Sequence, residues 1–222
     1  MNSYVSAVQM KAIDHYTIEE IGIPSSVLME RASLEIANSI IRNYDNKKIV
    51  CVCGMGNNGG DGVAIGRILF LKGLDVTLYL AGNLEKASDQ MKLQVSIARK
   101  LSIPIVSTLP SELDDGTVVV DALVGIGLNR DIDSQLDKLI TFMNQSQSPV
   151  ISVDIPSGLS ADEGRPLKNA VKATKTYTIG FMKNGFAKTQ SKAYTGDIEV
   201  VDIGYPPYKL IKHIMEREEI NE

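Results

Sequence analysis

Residues 54–62 read Gly-Met-Gly-Asn-Asn-Gly-Gly-Asp-Gly, and this block constrains the fold more than any other. It follows the apolar run Lys48-Ile49-Val50-Cys51-Val52-Cys53 and opens into Val63-Ala64-Ile65-Gly66-Arg67-Ile68-Leu69. That order spells a strand, a glycine loop and a helix over 61–73. Glycine lets a backbone turn sharply and approach a ligand closely, because no Cβ intervenes. Successive N–H groups at a helix N-terminus then favour an anion. The loop is a candidate phosphate cradle. Its two asparagines and its aspartate add oxygens suited to a cation or to sugar hydroxyls.

The rest of the chain repeats the alternation. Strand patterns fall at 48–53, 75–80, 103–106, 117–120, 149–153, 175–179 and 197–202. Helical patterns fall at 5–20, 26–44 (with Ser25 or Ser26 as its cap), 61–73, 86–101 and 133–145. In the last of these, Leu136, Leu139, Ile140 and Met143 form an apolar stripe that reads as core. The runs at 48, 117 and 149 are almost wholly apolar, which suits strands covered on both faces. The expected fold class is α/β: a three-layer α/β/α, Rossmann-like arrangement with a mostly parallel sheet and helices on both faces. After residue 175 the spacing shortens, so the last strands are expected to pair antiparallel at an edge. Residues 206–222, Pro-led and charged, read as a short exposed helix with a frayed end. No linker or internal repeat divides the 222 residues, so one domain over 1–222 is expected.

A net charge of −4 argues against a nucleic-acid groove or an anionic membrane surface. Cys51 and Cys53 alternate onto one face of a strand and cannot bridge each other without distortion. They read as buried free thiols, which fits a reducing compartment. There is no apolar signal core and no run of ~20 apolar residues, so a soluble, cytoplasmic chain is expected.

In open α/β sheets, ligands sit beyond the carboxyl ends of the strands. Three features converge there. The glycine loop follows strand 48–53. Asp121 ends the Val118-Val119-Val120 run and leads into Ala122-Leu123-Val124-Gly125-Ile126-Gly127-Leu128-Asn129-Arg130. Asp154 ends Ile151-Ser152-Val153 and leads into Ile155-Pro156-Ser157-Gly158. An unpaired carboxylate is costly where a strand goes dry, so two at one edge point to a shared polar cleft, although each taken alone is equally well read as a turn or helix cap. Gly54, Gly56 and Gly59 do fit G-x-G-x-x-G. The acidic residue that a dinucleotide site wants ~20 positions on is missing, since the next strand ends Leu80-Ala81-Gly82-Asn83. A hydride-transferring dehydrogenase is therefore disfavoured. No Gly-Lys-Ser/Thr follows, so the loop is not a P-loop either.

The blocks Gly54-x-Gly56-Asn57-Asn58-Gly59-Gly60-Asp61-Gly62, Val120-Asp121-Ala122-Leu123-Val124-Gly125-Ile126-Gly127-Leu128 and Val153-Asp154-Ile155-Pro156-Ser157-Gly158-Leu159 resemble, in order and spacing, the YjeF N-terminal domain of the NAD(P)H-hydrate epimerases. The resemblance extends to Tyr177-Thr178-Ile179-Gly180 and Lys183-x-Gly185. It implies an isomerase that interconverts the R and S epimers of hydrated NADH or NADPH, as part of nicotinamide cofactor repair. It implies one potassium ion per subunit, held by Asn58, Asp121 and Ser157. It places the substrate against Asn57, Asn58, Gly59, Gly60 and Asp61, against Gly125, Ile126, Gly127, Leu128, Asn129, Arg130 and Asp131, and against Asp154. The second loop reads Gly-Ile-Gly where the family often has Gly-Thr-Gly, which removes one hydroxyl contact. An oxygen-only donor set suits such an ion better than zinc or copper. Arg130 and the loop amides are candidates to face the dinucleotide phosphates, although an exposed loop arginine fits Arg130 equally well. Epimerisation at C6 requires proton transfer, assigned here to Asp154 as the acid/base. Lys183 is expected either to assist, by holding a phosphate or polarising the site, or to be a solvated surface lysine. The resemblance further implies a homodimer, and a separate NAD(P)H-hydrate dehydratase as functional partner. The alternative is a non-catalytic, dimerising nucleotide-binding scaffold of the same fold, as found at the end of some mRNA-decapping enhancers.

Overall fold

The computed structural model describes residues 4–44, 47–110, 112–114, 116–128 and 130–221. The chain enters through β1 (Tyr4–Val5) and α1 (Ala7–His15), which continues as a π-helical turn over Tyr16–Glu20. There follow α2 (Ser25–Asn43), β2 (Lys48–Cys53), α3 (Asn57–Leu71), β3 (Val76–Leu80), α4 (Asp89–Lys100) and β4 (Ile105–Val106). Next come β5 (Thr117–Ala122), α5 (Ser134–Gln145), β6 (Val150–Val153), β7 (Lys175–Ile179) and β8 (Met182–Lys183). The last elements are α6 (Lys192–Thr195), β9 (Asp197–Val201) and α7 (Tyr208–Asn221).

Among the described residues, seven strands form one sheet in the order β4-β3-β2-β5-β6-β7-β9, and every pairing is parallel. The chain runs outward from β2 in one direction to β3 and β4, then from β5 in the other. The switch point therefore lies between β2 and β5, where a crevice opens past the strand ends. Alternation along β2 and β5 explains the three layers. Ile49, Cys51, Cys53, Val118 and Val120 join Leu28, Ile36, Ile40, Val63, Ile65, Met91 and Val95 on the side of α2, α3 and α4. Val50, Val52 and Val119 meet Leu139, Ile140 and Met143 of α5 on the other. Both cysteines are buried and free, on one face as alternation requires.

Two expectations at the sheet edge are corrected. β9 adds to β7 in parallel, with Lys175 opposite Asp197 and Ile179 opposite Val201. The segment 180–196 makes this possible: it carries β8, two 3-10 turns and α6, and so returns the chain to its starting end. The C-terminal helix is also not merely exposed, because Ile211 is fully buried against Val5, Met10 and Ile13. β1 pairs with β8 in a small separate sheet, Val5 opposite Lys183, and this ties α1 to the segment that carries that lysine.

Polar residues cap α1, α4 and α5. Ser6 and Gln9 form a reciprocal box at α1, Ser88 Oγ accepts from Met91 N, and Asp133 Oδ1 accepts from Leu136 N. At α2 the capping position is Pro24, so neither Ser25 nor Ser26 caps it; Ser25 Oγ instead accepts from Gln90 Nε2 at 2.7 Å. Among the described residues, no helix is long and apolar enough to cross a membrane.

Candidate active site

The glycine block is a helix start rather than a loop. α3 begins at Asn57, and Gly56 before it supplies no side-chain cap. The first-turn N–H groups of α3 therefore keep the anion-binding capacity of an uncapped N-terminus. The glycines let this turn sink against the sheet. A Cβ on Gly59 would stand 1.8 Å from the Gly54 carbonyl oxygen, and one on Gly54 1.9 Å from that of Leu123.

Asp121 lies within β5, fully buried, not beyond its end. Its Oδ1 accepts from Ser157 Oγ at 2.6 Å and from Leu123 N at 3.4 Å. Its Oδ2 accepts from Ser152 Oγ at 2.7 Å and Ser157 N at 2.9 Å. Ser157 Oγ also accepts from Val124 N at 3.0 Å. Burial raises the Asp121 carboxyl above its ordinary value, and these hydrogen bonds hold it down in part. Asn58 reaches the same corner from α3: its Oδ1 lies 3.5 Å from where a Gly125 Cβ would stand. One end of its buried amide, Nδ2, has no hydrogen-bond partner.

Asp154 follows β6 in the left-handed region, with φ 68°. That conformation costs a non-glycine residue ~1–2 kcal/mol, least for Asp and Asn. It brings Oδ1 to the end of β7, where it accepts from Ile179 N at 3.1 Å and pairs with Lys183 Nζ at 2.6 Å. Lys183 is fully buried, so it is no solvated lysine. Its ammonium also donates to Thr178 Oγ1 and Ile179 O at 2.9 Å and Phe181 O at 3.1 Å. With its protons so placed, it fixes the position of Asp154, and none is left over for a phosphate.

Asn58, Asp154 and Lys183 border a cavity of about 550 Å³ at the switch point. Its walls include Gly56, Asn57, Asn58 and Asp61 of the glycine block, Leu123 to Gly127, Asp154 and Lys183. Met10, Lys11 and Asp14 of α1 and Tyr205 also line it. Asp61 is buried, and its carboxyl is pushed well above the usual range by burial first and then by Asp154 and Asp14.

A family model described as YjeF-related protein N-terminus matches residues 25–185. The chain belongs to that family. It is 42% identical over 207 residues to a protein of Oenococcus oeni named NAD(P)H-hydrate epimerase, covering 92% of this chain and 98% of that one. A protein of Limosilactobacillus fermentum with the same name is 42% identical over 199 residues, 89% and 95% of the two chains. The crystal structure of yeast ynu0, YNL200c, superposes with a TM-score of 0.79 over 96% of this chain and 93% of that one, at 20% identity. That last likeness bears on the fold alone.

For this YjeF-family chain, Asn57, Asn58, Asp61, Gly125, Ile126, Gly127, Asp154 and Lys183 all line the one hollow. Gly59 and Gly60 lie buried behind it, and Asp121 and Ser157 are buried beneath Val124. Leu128, Arg130 and Asp131 are not among the lining residues, and Arg130 is exposed. Asn129 lies outside the described residues. Sequence reasoning missed Asp14, Tyr205 and Gln90. Asp14 has a usable local signal: it sits four residues after the buried Met10, on the same helical face. Tyr205 has none, since its hydroxyl meets Asp14 across 191 residues of sequence.

Proposed function

We infer that this chain is an NAD(P)H-hydrate epimerase, an isomerase acting on the hydrated nicotinamide ring of NADH or NADPH. The observation that carries this reading is the 42% identity with a relative of that name over nearly the whole of both chains. The cavity supports it, being within the ~300–1,000 Å³ typical of small-molecule sites and set against a glycine-packed helix start.

In this reading the α3 N-terminus and Gly125, Ile126 and Gly127 hold the dinucleotide, and Asp154 moves the proton. The C6 hydroxyl must leave and return, or the ring must open and close. Either course takes a proton on and off oxygen or nitrogen, for which a positioned carboxylate is worth ~10²–10⁴-fold. Lys183 positions that carboxylate through their ion pair.

The corner formed by Asn58, Asp121 and Ser157 fits a potassium ion. Its donors are oxygens, one carboxylate among them, and Asn58 has an amide end that is buried without a partner. A half-turn of that amide presents its oxygen instead. Held by Asn58, Asp121 and Ser157, a potassium ion would supply positive charge that offsets the Asp121 carboxylate. The reading extends to one domain over 1–222, a homodimer, a cytoplasmic location, and a separate dehydratase that consumes the S form.

The test is to mix the purified chain with R-enriched hydrated NADPH and follow the S form by chromatography, in potassium and then in sodium. Rapid equilibration is expected with the wild type. Asp154→Asn is expected to lose it while keeping its affinity for NADPH. A wild-type chain that leaves the spontaneous rate unchanged sinks the reading.

A further inference from the structure

A second held carboxylate faces the cavity, and the steps above leave it unused. Asp14 lines the hollow from α1. The Tyr205 hydroxyl donates to its Oδ1 at 2.9 Å. Tyr205 in turn stacks on Phe181, whose carbonyl accepts from Lys183 Nζ. Two carboxylates thus stand in one site on different elements. One is tied to a phenol and the other to an ammonium, and both the phenol ring and the ammonium contact Phe181.

Inversion at C6 requires oxygen to depart from one face of the ring and arrive at the other. A single fixed carboxylate reaches one face. We propose that Asp14 is a second acid–base residue, working with Asp154 from the opposite side of the hydrated nicotinamide ring. This rests on the epimerase reading above. The acid on one side gives its proton to the C6 hydroxyl. The C6–O bond breaks with its pair going to oxygen, water departs, and the N1 lone pair forms an N1=C6 bond. Water then adds from the other side. Its lone pair forms the new C6–O bond, the N1=C6 pair returns to N1, and the surplus proton passes to the second carboxylate. No net proton, water or electron is consumed.

The surroundings of the two groups differ in the sense such a pair needs. Asp154 is ion-paired. Asp14 is raised above its ordinary value by burial, with the charge of Asp154 adding and the Tyr205 hydrogen bond and His15 opposing. Asp61, Lys11 and Lys183 are the other charged groups that share the cavity.

The experiment uses the full chain with R-enriched hydrated NADPH across pH. Asp14→Asn is expected to lower kcat ~10²–10⁴-fold with KM within a few-fold, and to lose the alkaline limb of the profile. Tyr205→Phe keeps the carboxyl but removes a bond that favours its ionised form, so the alkaline limb is expected to move to higher pH. A residue that merely supports the fold would lower the rate without moving that limb. Asp14→Asn turning over within about threefold of an active wild type overturns this inference alone, as does an unmoved limb in Tyr205→Phe. A wild type inert toward the R form overturns the epimerase reading itself.

Discussion

Asp61 is buried at the rim of α3, close enough to Asp154 and Asp14 that all three repel one another. Its carboxyl in the folded chain sits well above the value of ~3.9 expected when unfolded. Between those two values the native state keeps a proton that the unfolded state has lost. Stability must then fall as pH rises through that window, and level off above it. Asp61→Asn keeps the shape and removes the titration. The variant is expected to gain on the wild type between pH 4.5 and 7.5, by at most ~1.4 kcal/mol per pH unit. Urea midpoints at the two pH values measure this, and a constant gap between the proteins contradicts it. The same residues show what could be read in advance. Asp121, Asp154 and Asn58 announced themselves by following apolar strands or sitting in the glycine block. Lys183 gave no hint of being buried, because its burial depends on acceptors offered by Thr178, Ile179 and Phe181 after β7 has turned. Asp14 was legible only in part, since helical spacing names the face but not what covers it.

Among the elements, α3 carries the main discrepancy between sequence and structure. Glycine costs ~1 kcal/mol in a helix interior relative to alanine, so Gly59 and Gly60 read as loop, with the expected helix starting only at residue 61, just before Gly62. They are helical because each lies where a side chain would strike a neighbour. A Cβ on Gly62 would fall 2.4 Å from Ala122 Cβ and 2.9 Å from Cys53 Sγ. Gly62→Ala is therefore expected to destabilise by ~1–3 kcal/mol, despite better helix propensity. Adding Ala122→Gly reopens the space, and the double variant is expected to be more stable than the two single effects summed, by ~0.5–3 kcal/mol. Denaturant midpoints of the four proteins close the cycle, and a Gly62→Ala chain as stable as the wild type disproves the packing account. The strands were legible because their apolar runs report burial on both faces. The direction of β9 was not, since it is set by a long path over 180–196 that carries no periodic signal.

For the molecule as a whole, the sheet joins two halves that diverge from the β2–β5 switch point, and the start of α3, the end of β5 and the turn after β6 lie beyond that point. Asp121 ties β5 to β6 and to that turn through Ser152 and Ser157, yet Asn58 still has an unpartnered amide end there. A cation at this corner would complete the set and bind the native state alone, since the three donors come from distant parts of the chain. Linkage then gives stabilisation that grows with the logarithm of its concentration, ~2.7 kcal/mol at one hundred times the dissociation constant. For a chain of this size each kcal/mol moves Tm by ~2–4 °C. Melting in potassium chloride is accordingly expected to exceed melting in sodium chloride at equal ionic strength, where screening is matched. Asn58→Ala is expected to erase that difference while melting in sodium within a few degrees of the wild type, because the amide it removes is only partly satisfied. Equal melting of the wild type in the two salts would leave the Asn58–Asp121–Ser157 corner as a hydrogen-bonded brace and nothing more.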